Sequence, residues 1–122
     1  MKNEFSIHAR IKSFQYAFNG IGILIRSQHN AWIHAAATII VIVTGILVEL
    51  TISEWRWIAF AIITVWIAEA FNTAIEFLAD AAVKELHPLI EKAKDVAAAA
   101  VLIAAIGSVI IGILVIGPRL LQ

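Results

Sequence analysis

Cysteine is absent from the 122-residue chain, which rules out a disulfide framework and a thiolate metal site and leaves the redox compartment unreadable. Net charge is absent as well. Nine Lys and Arg balance nine Asp and Glu, which argues against nucleic acid as the main partner. Proline is confined to Pro88, in a polar connection, and Pro118, where the last apolar run is expected to end. No linker, internal repeat or low-complexity tract divides the chain, and its length allows one domain at most, spanning 1–122. The first thirty residues hold no compact apolar core ending in a small-residue cleavage site, so no signal peptide is expected.

What the chain has in abundance is apolar surface. Its hydrophobic content is 61% and its mean hydropathy +0.91, well above the roughly one-half apolar content of a soluble domain. Three runs carry it, and they predict spans over about 31–50, 55–83 and 92–117. Each meets the requirement of about 20 apolar residues for a bilayer core. Helices are the only choice for them, because lipid offers backbone groups no outside partner. A soluble helix bundle is the competing reading, but three such runs in so short a chain leave too little polar surface for it.

The segment before the first span, about 5–27, has a different pattern. Ile7, Ile11, Phe14, Phe18, Ile21 and Ile25 recur at helical spacing, with Lys12, Tyr16, Asn19 and Gly20 on the other side. That predicts an amphipathic helix on the membrane surface, its Lys12 and Arg26 reaching headgroups. Lys2, Arg10, Lys12 and Arg26 precede the first span, and Lys84, Lys92 and Lys94 separate the second from the third. Only Arg56 and Arg119 belong to the opposite side. The positive-inside rule therefore expects the N-terminus and the second connection in the cytoplasm. Trp55 and Trp57 suit the far interface and Trp32 the near one.

The chemistry is concentrated on the second span. Asn72, Thr73, Glu76 and Asp80 follow Glu69 by three, four, seven and eleven residues, which places all five within an arc of about 100° on one helix face. A carboxylate at mid-bilayer costs about 2.5–3.5 kcal/mol on the insertion scale. Asn72 and Thr73 alone would read as interhelical hydrogen-bonding glue. Three carboxylates exceed what packing needs, so the stripe is expected to face protein, water or a bound cation. Lys94 and Asp95 sit just before the last apolar stretch, at the surface where Glu76 and Asp80 emerge. Acidic oxygens for Mg²⁺ beside an ammonium for phosphate suit a metal-bound polyphosphate. His29 and His34 read as ordinary interfacial residues near a helix start.

Taken in order, Glu69-Ala-Phe-Asn-Thr-Ala-Ile-Glu76, then Asp80, then Lys94-Asp95-Val-Ala-Ala-Ala-Ala-Val resembles the signature of the prokaryotic diacylglycerol kinase family. The resemblance extends over nearly the whole chain. Members phosphorylate a membrane lipid alcohol, diacylglycerol or undecaprenol, with ATP and Mg²⁺, in the bacterial inner (cytoplasmic) membrane. The lack of a G-x-x-x-x-G-K-[ST] motif fits, since the family is similar neither to P-loop enzymes nor to protein kinases. The fold it implies is all-α and membrane-integral, a surface helix plus three transmembrane helices, assembled as a homotrimer with sites between subunits.

By the same resemblance Glu69 is the general base on the lipid hydroxyl and Glu76 a metal ligand beside ATP. Asn72, Asp80, Glu85, His87, Lys94 and Asp95 are implied as ATP-site residues, as is Tyr16 on the first helix. Arg10 matches the family's arginine at a spacing to Tyr16 one residue shorter. Trp55, in Ser53-Glu54-Trp55, is implied on the lipid side. One departure stands out: the family usually has a glutamate sharing the metal where this chain has Gln28, and an amide is a weaker Mg²⁺ ligand than a carboxylate. The Ser53-Glu54-Trp55 stretch and the Asn30-x-x-x-His34 pattern resemble the undecaprenol branch more closely. Two other classes compete. An oligomeric ion or proton conduit explains the carboxylate stripe but gives Lys94, Asp95 and Tyr16 no role. A structural subunit explains the spans and not the carboxylates.

Overall fold

The computed structural model describes residues 4–122, so Lys2 lies outside the described residues. Four helices follow one another: α1 (Ile7–Ser27), α2 (His29–Leu47), α3 (Ile52–Ala82) and α4 (Pro88–Leu120). No strand occurs among the described residues. The last three helices are each long and apolar enough to cross a membrane. At 1.5 Å per residue, the 19 residues of α2 rise about 28 Å, close to the hydrocarbon thickness. The 31 residues of α3 and 33 of α4 extend past it.

Local chemistry sets the helix ends. Ser6 caps α1, its hydroxyl accepting from the Ala9 amide at 3.3 Å. A single extended residue, Gln28, separates α1 from α2. Thr51 and Glu54 start α3 with a capping box: the Glu54 amide donates to Thr51 Oγ1 at 3.3 Å, and the Thr51 amide to Glu54 Oε2 at 2.8 Å. This satisfies two amides that the helix geometry would otherwise orphan. Pro88 opens α4 at the one position where its missing N–H costs nothing, and His87 Nδ1 accepts from the Leu89 amide at 3.1 Å. The charged residues Glu91, Lys92, Lys94 and Asp95 are therefore helical, on turns that precede the apolar stretch.

Pro118 does not end the last helix, against expectation; α4 continues to Leu120. Only one partial turn follows it, so a single backbone hydrogen bond is lost near an end already short of partners. Arg119 then holds that end by a two-pronged ion pair to α3, Nε to Glu54 Oε1 at 3.1 Å and Nη2 to Glu54 Oε2 at 2.8 Å. Such forked pairing fixes geometry as well as charge.

The α2–α3 turn closes as a Schellman motif. The Leu50 amide donates to the Gly45 carbonyl and the Glu49 amide to the Ile46 carbonyl, both at 3.1 Å, which satisfies two terminal carbonyls of α2. Glu49 occupies the left-handed position, with φ of 54°. Gly45 is buried here because Trp55 lies across it: a Cβ would fall 2.6 Å from Trp55 Cη2.

Helix α3 is the centre of the bundle. Its buried residues, Ile58, Ala61, Val65, Glu69, Asn72, Thr73 and Ala79, fall at three- and four-residue steps along one stripe. The stripe is apolar towards the α2–α3 turn and polar towards the α3–α4 connection. Helix α4 packs along α3 throughout, while α2 touches α3 sparingly. Small residues on α4 permit the close approach, and Ser108 Oγ donates across the interface to the Ala61 carbonyl at 3.0 Å. Helix α1 leans on the rest only lightly. Leu24 is its one buried residue, and the six apolar residues from Ile7 to Ile25 that define its apolar face are exposed.

A left-handed backbone disfavours every residue with a Cβ, by about 1–2 kcal/mol. Glu49→Gly should therefore raise the stability of the detergent-solubilised protein by about 1 kcal/mol, read as a higher thermal midpoint. A lower midpoint would mean that the Glu49 side chain contributes more than its backbone strain costs.

Candidate active site

Because α3 runs away from the Gly45–Trp55 turn, its last four turns lie towards the same end of the bundle as the start of α2 and the start of α4. That end gathers the acidic stripe. Glu69 is 0% exposed, and Asn72 and Thr73 are buried beside it. Both carboxylate oxygens of Glu69, the side-chain oxygen of Asn72 and the hydroxyl of Thr73 are buried without a hydrogen-bond partner. Four orphaned polar atoms on one face are costly in a folded interior, by about 1–3 kcal/mol each. Unpaired groups in such density call for an explanation, and water, an ion or a ligand would each complete the bonding.

The half-buried Glu76 lies two turns further along. Gln28 Nε2 donates to its Oε2 at 3.4 Å, and Asn72 Nδ2 to its Oε1 at 3.5 Å. The extended break between α1 and α2 thus brings Gln28 to Glu76, the residue with which the family resemblance pairs it. One turn beyond, Lys94 Nζ lies 3.1 Å from Asp80 Oδ1, linking α4 to α3. Asp95 is exposed on the next position of α4. Glu85 lies exposed in the short connection, and His87 serves as the cap of α4. No three His, Asp or Glu side chains cluster closely enough to hold a metal by themselves among the described residues.

Three of the residues singled out in the sequence lie away from this group. Arg10 and Tyr16 are exposed on α1, Tyr16 at 68%, and the Arg10 guanidinium rests 5.7 Å from the centre of the Phe5 ring. Trp55 sits at the other end of α3, packed over Gly45. Fourteen residues separate it from Glu69, about 21 Å of helix rise.

The structure corrects the reading of His34 as an ordinary interfacial residue. Its Nε2 lies 3.3 Å from Glu69 Oε2, off the line of a hydrogen bond, and its ring meets Trp66 edge-to-face at 6.3 Å. Trp66 Nε1 in turn donates to Thr38 Oγ1 at 3.1 Å. Sequence periodicity could not find this contact, because it fixes a residue's face on its own helix and not the rotation of the facing helix. His29 is exposed.

Two clefts meet at His34. One, of about 300 Å³, is lined by Glu69, Asn72 and Glu76 of α3, Asn30 of α2, and Ala98 and Val101 of α4, among others. The other, of about 240 Å³, is apolar and runs towards the far turn between Val41, Ile58, Val65 and Gly112. His34 and Ala105 border both. The arrangement places His34 at the junction of an apolar groove and a polar one, with the Glu69 carboxylate against it on the polar side.

The model of the prokaryotic diacylglycerol kinases matches residues 15–116. The chain belongs to that family. It is therefore a lipid kinase, with ATP as phosphate donor, and its three apolar helices make it a multi-pass membrane protein. It is similar to the undecaprenol kinase of Bacillus subtilis (strain 168), at 44% identity over 89% of each chain. It is also similar to a diacylglycerol kinase of Synechocystis sp. (strain ATCC 27184 / PCC 6803 / Kazusa), at 38% identity over 90% of this chain and 63% of that longer one.

The Lys94 and Asp80 side chains are 40% and 68% exposed, and exposed pairs contribute little, about 0.2–1 kcal/mol. Lys94→Met should thus leave the thermal midpoint nearly unchanged, a loss of under about 1 kcal/mol. A larger loss would show that this lysine is a structural clamp.

Proposed function

We propose that this kinase transfers the terminal phosphoryl group of ATP to undecaprenol, with Glu69 as the general base. The observation that carries this reading is the wholly buried Glu69, both oxygens unpaired, where an apolar groove meets the polar end of the bundle. A lipid hydroxyl arrives from within the bilayer, so its base must lie deep. The nucleotide arrives from water. Glu69 lies about 10 Å of helix rise below Glu76, a separation suited to a hydroxyl on one side and a polyphosphate on the other. The relative named undecaprenol kinase, at 44% identity, supports that acceptor. The relative named diacylglycerol kinase, at 38%, keeps diacylglycerol as the second reading.

Phosphoryl transfer asks for alignment and charge neutralisation more than covalent help. Lys94, freed from Asp80 at little cost, supplies a cation to the phosphates. Asn72, Asp80, Glu85, His87 and Asp95 line the nucleotide side, and Arg10 and Tyr16 reach it from α1 or from a neighbouring subunit. Glu76 and Gln28 would hold Mg²⁺. The residue types fit that ion. Gln28 meets the Glu76 carboxylate through its Nε2, and a turn of the amide about its last bond would present its oxygen instead, a hard donor beside a carboxylate. Mg²⁺ is commonly held by one or two carboxylates with water and phosphate completing the shell. When bound, it neutralises charge on the phosphates. With one carboxylate in place of two, the site should hold it weakly. Trp55 faces the lipid at the far interface, about 21 Å from Glu69.

The assembly we envisage is a homotrimer in the inner membrane of a bacterium, α1 lying on the cytoplasmic surface as an amphipathic helix. Three spans enclose too little space for nucleotide and lipid, and the exposed apolar face of α1 suits the headgroup boundary. The excess of Lys and Arg near the polar end supports a cytoplasmic N-terminus and active site. An ion conduit fits poorly, because its carboxylates would line water, and Glu69 is fully covered by its own chain.

Purified protein with labelled ATP and Mg²⁺ should label undecaprenol faster than diacylglycerol; the reverse order would reassign the acceptor, and labelling of neither would remove the kinase reading. Glu69→Gln should lower turnover by about 10²–10⁴-fold with the KM for ATP kept, and normal turnover would show the base to be another group. Gln28→Glu should lower the Mg²⁺ concentration needed for half-maximal rate. An unchanged titration counts against a place for Gln28 at the metal.

A further inference from the structure

Glu69 creates a problem that the base assignment leaves open. A general base must lose its acquired proton before the next turnover, and this one is 0% exposed, with no hydrogen-bond partner for either oxygen. Its own chain leaves it no solvent-exposed surface, although it borders the polar cleft. Among the described residues its one ion-pairing contact is His34, whose Nε2 stands 3.3 Å from Oε2 and whose side chain is 16% exposed. We propose that His34 is the positioning partner of Glu69 that takes the transferred proton from it and releases it to the polar cleft. The inference rests on Glu69 acting as base.

The surroundings single out His34. From α3, the titratable side chains facing this cleft are Glu69 and Glu76, and Glu76 is two turns away, engaged by Gln28 and Asn72. The α4 residues on the same cleft, Ala98, Val101, Leu102 and Ala105, carry no charge, nor do Asn30 and Ile33 of α2. An imidazole both accepts and donates a proton near neutral pH, which neither amide nor hydroxyl does. Its ring touches the dry carboxylate on one side and borders the open clefts on the other.

The ring is also held. Thr38, one turn after His34, donates its hydroxyl to the His34 carbonyl at 2.7 Å and accepts from Trp66 Nε1 at 3.1 Å. Trp66, three residues before Glu69, packs its indole edge-to-face on the imidazole. Two residues of α2 and two of α3 thus interlock, which keeps Nε2 beside the carboxylate. The proton balance is then complete. The lipid O–H bond breaks as the new O–P bond forms, ADP leaves with the electron pair of the old O–P bond, and the proton goes to Glu69. It passes from there to neutral Nε2, restoring the carboxylate, and the imidazolium gives it up to water at the cleft.

The test uses the full chain in lipid nanodiscs, comparing wild type, His34→Ala, His34→Gln and Trp66→Phe in lipid phosphorylation. His34→Ala should lower kcat on the order of 10²-fold with the KM for ATP unchanged, and added imidazole should restore part of the rate. His34→Gln, which keeps a polar side chain of similar reach and guards against misfolding of the alanine variant, should be equally slow. Trp66→Phe, which removes the hold on the ring and keeps an aromatic, should show a smaller fall in kcat. A wild-type rate in His34→Ala or in His34→Gln overturns the proposal, as does a slow His34→Ala that imidazole leaves unaffected. The base reading fails separately, by an active Glu69→Gln, and the kinase reading by an inactive wild type.

Discussion

The structure depends on keeping one carboxylate dry. Glu69 interrupts the buried stripe of α3 halfway along its length, with Ile58, Ala61 and Val65 before it and Asn72, Thr73 and Ala79 after it. In a soluble domain such a residue would be drawn out to water. Here the backbone of α3 is committed to a helix by the bilayer, and the close packing of α4 covers the face on which Glu69 lies. The cost of burial is carried by two apolar spans that have no polar alternative. Stability is thereby made in one half of the bundle, and unpaired polar atoms are concentrated in the other.

That division explains the uneven attachment of the helices. At the α2–α3 turn, Trp55 covers Gly45 and the Arg119–Glu54 fork ties the end of α4 to the start of α3. At the opposite end the links are longer or exposed: Gln28 on Glu76 at 3.4 Å, and Lys94 on Asp80. Both are weak enough to be given up without unfolding anything. Between the two ends α2 stands apart from α3 enough to leave the clefts, bridged by the interlocked Thr38, Trp66, His34 and Glu69.

Much of this was written in the order of the residues. Apolar run length predicts three membrane helices because the bilayer imposes a fixed thickness, and the recurrence of Glu69, Asn72, Thr73, Glu76 and Asp80 predicts a shared face because a helix has a fixed pitch. Helix ends were less legible. Hydropathy marks where a chain meets lipid, whereas α4 begins at Pro88, on charged turns outside that zone, and passes through Pro118. Contacts between helices were illegible from pattern alone. Nothing in the spacing of α2 says that His34 rather than Asn30 or Thr38 turns towards Glu69, since that depends on how two cylinders are rotated against each other. The proximity of Gln28 to Glu76 was accessible only through the family resemblance.

Gln28 is at once the sole non-helical residue between α1 and α2 and the side chain resting on Glu76. A joint of one residue has no slack. Any tilt of α1 turns about that joint and drags an amide across the carboxylate. The angle between α1 and α2 and the surroundings of the Glu76 carboxylate are therefore mechanically the same coordinate.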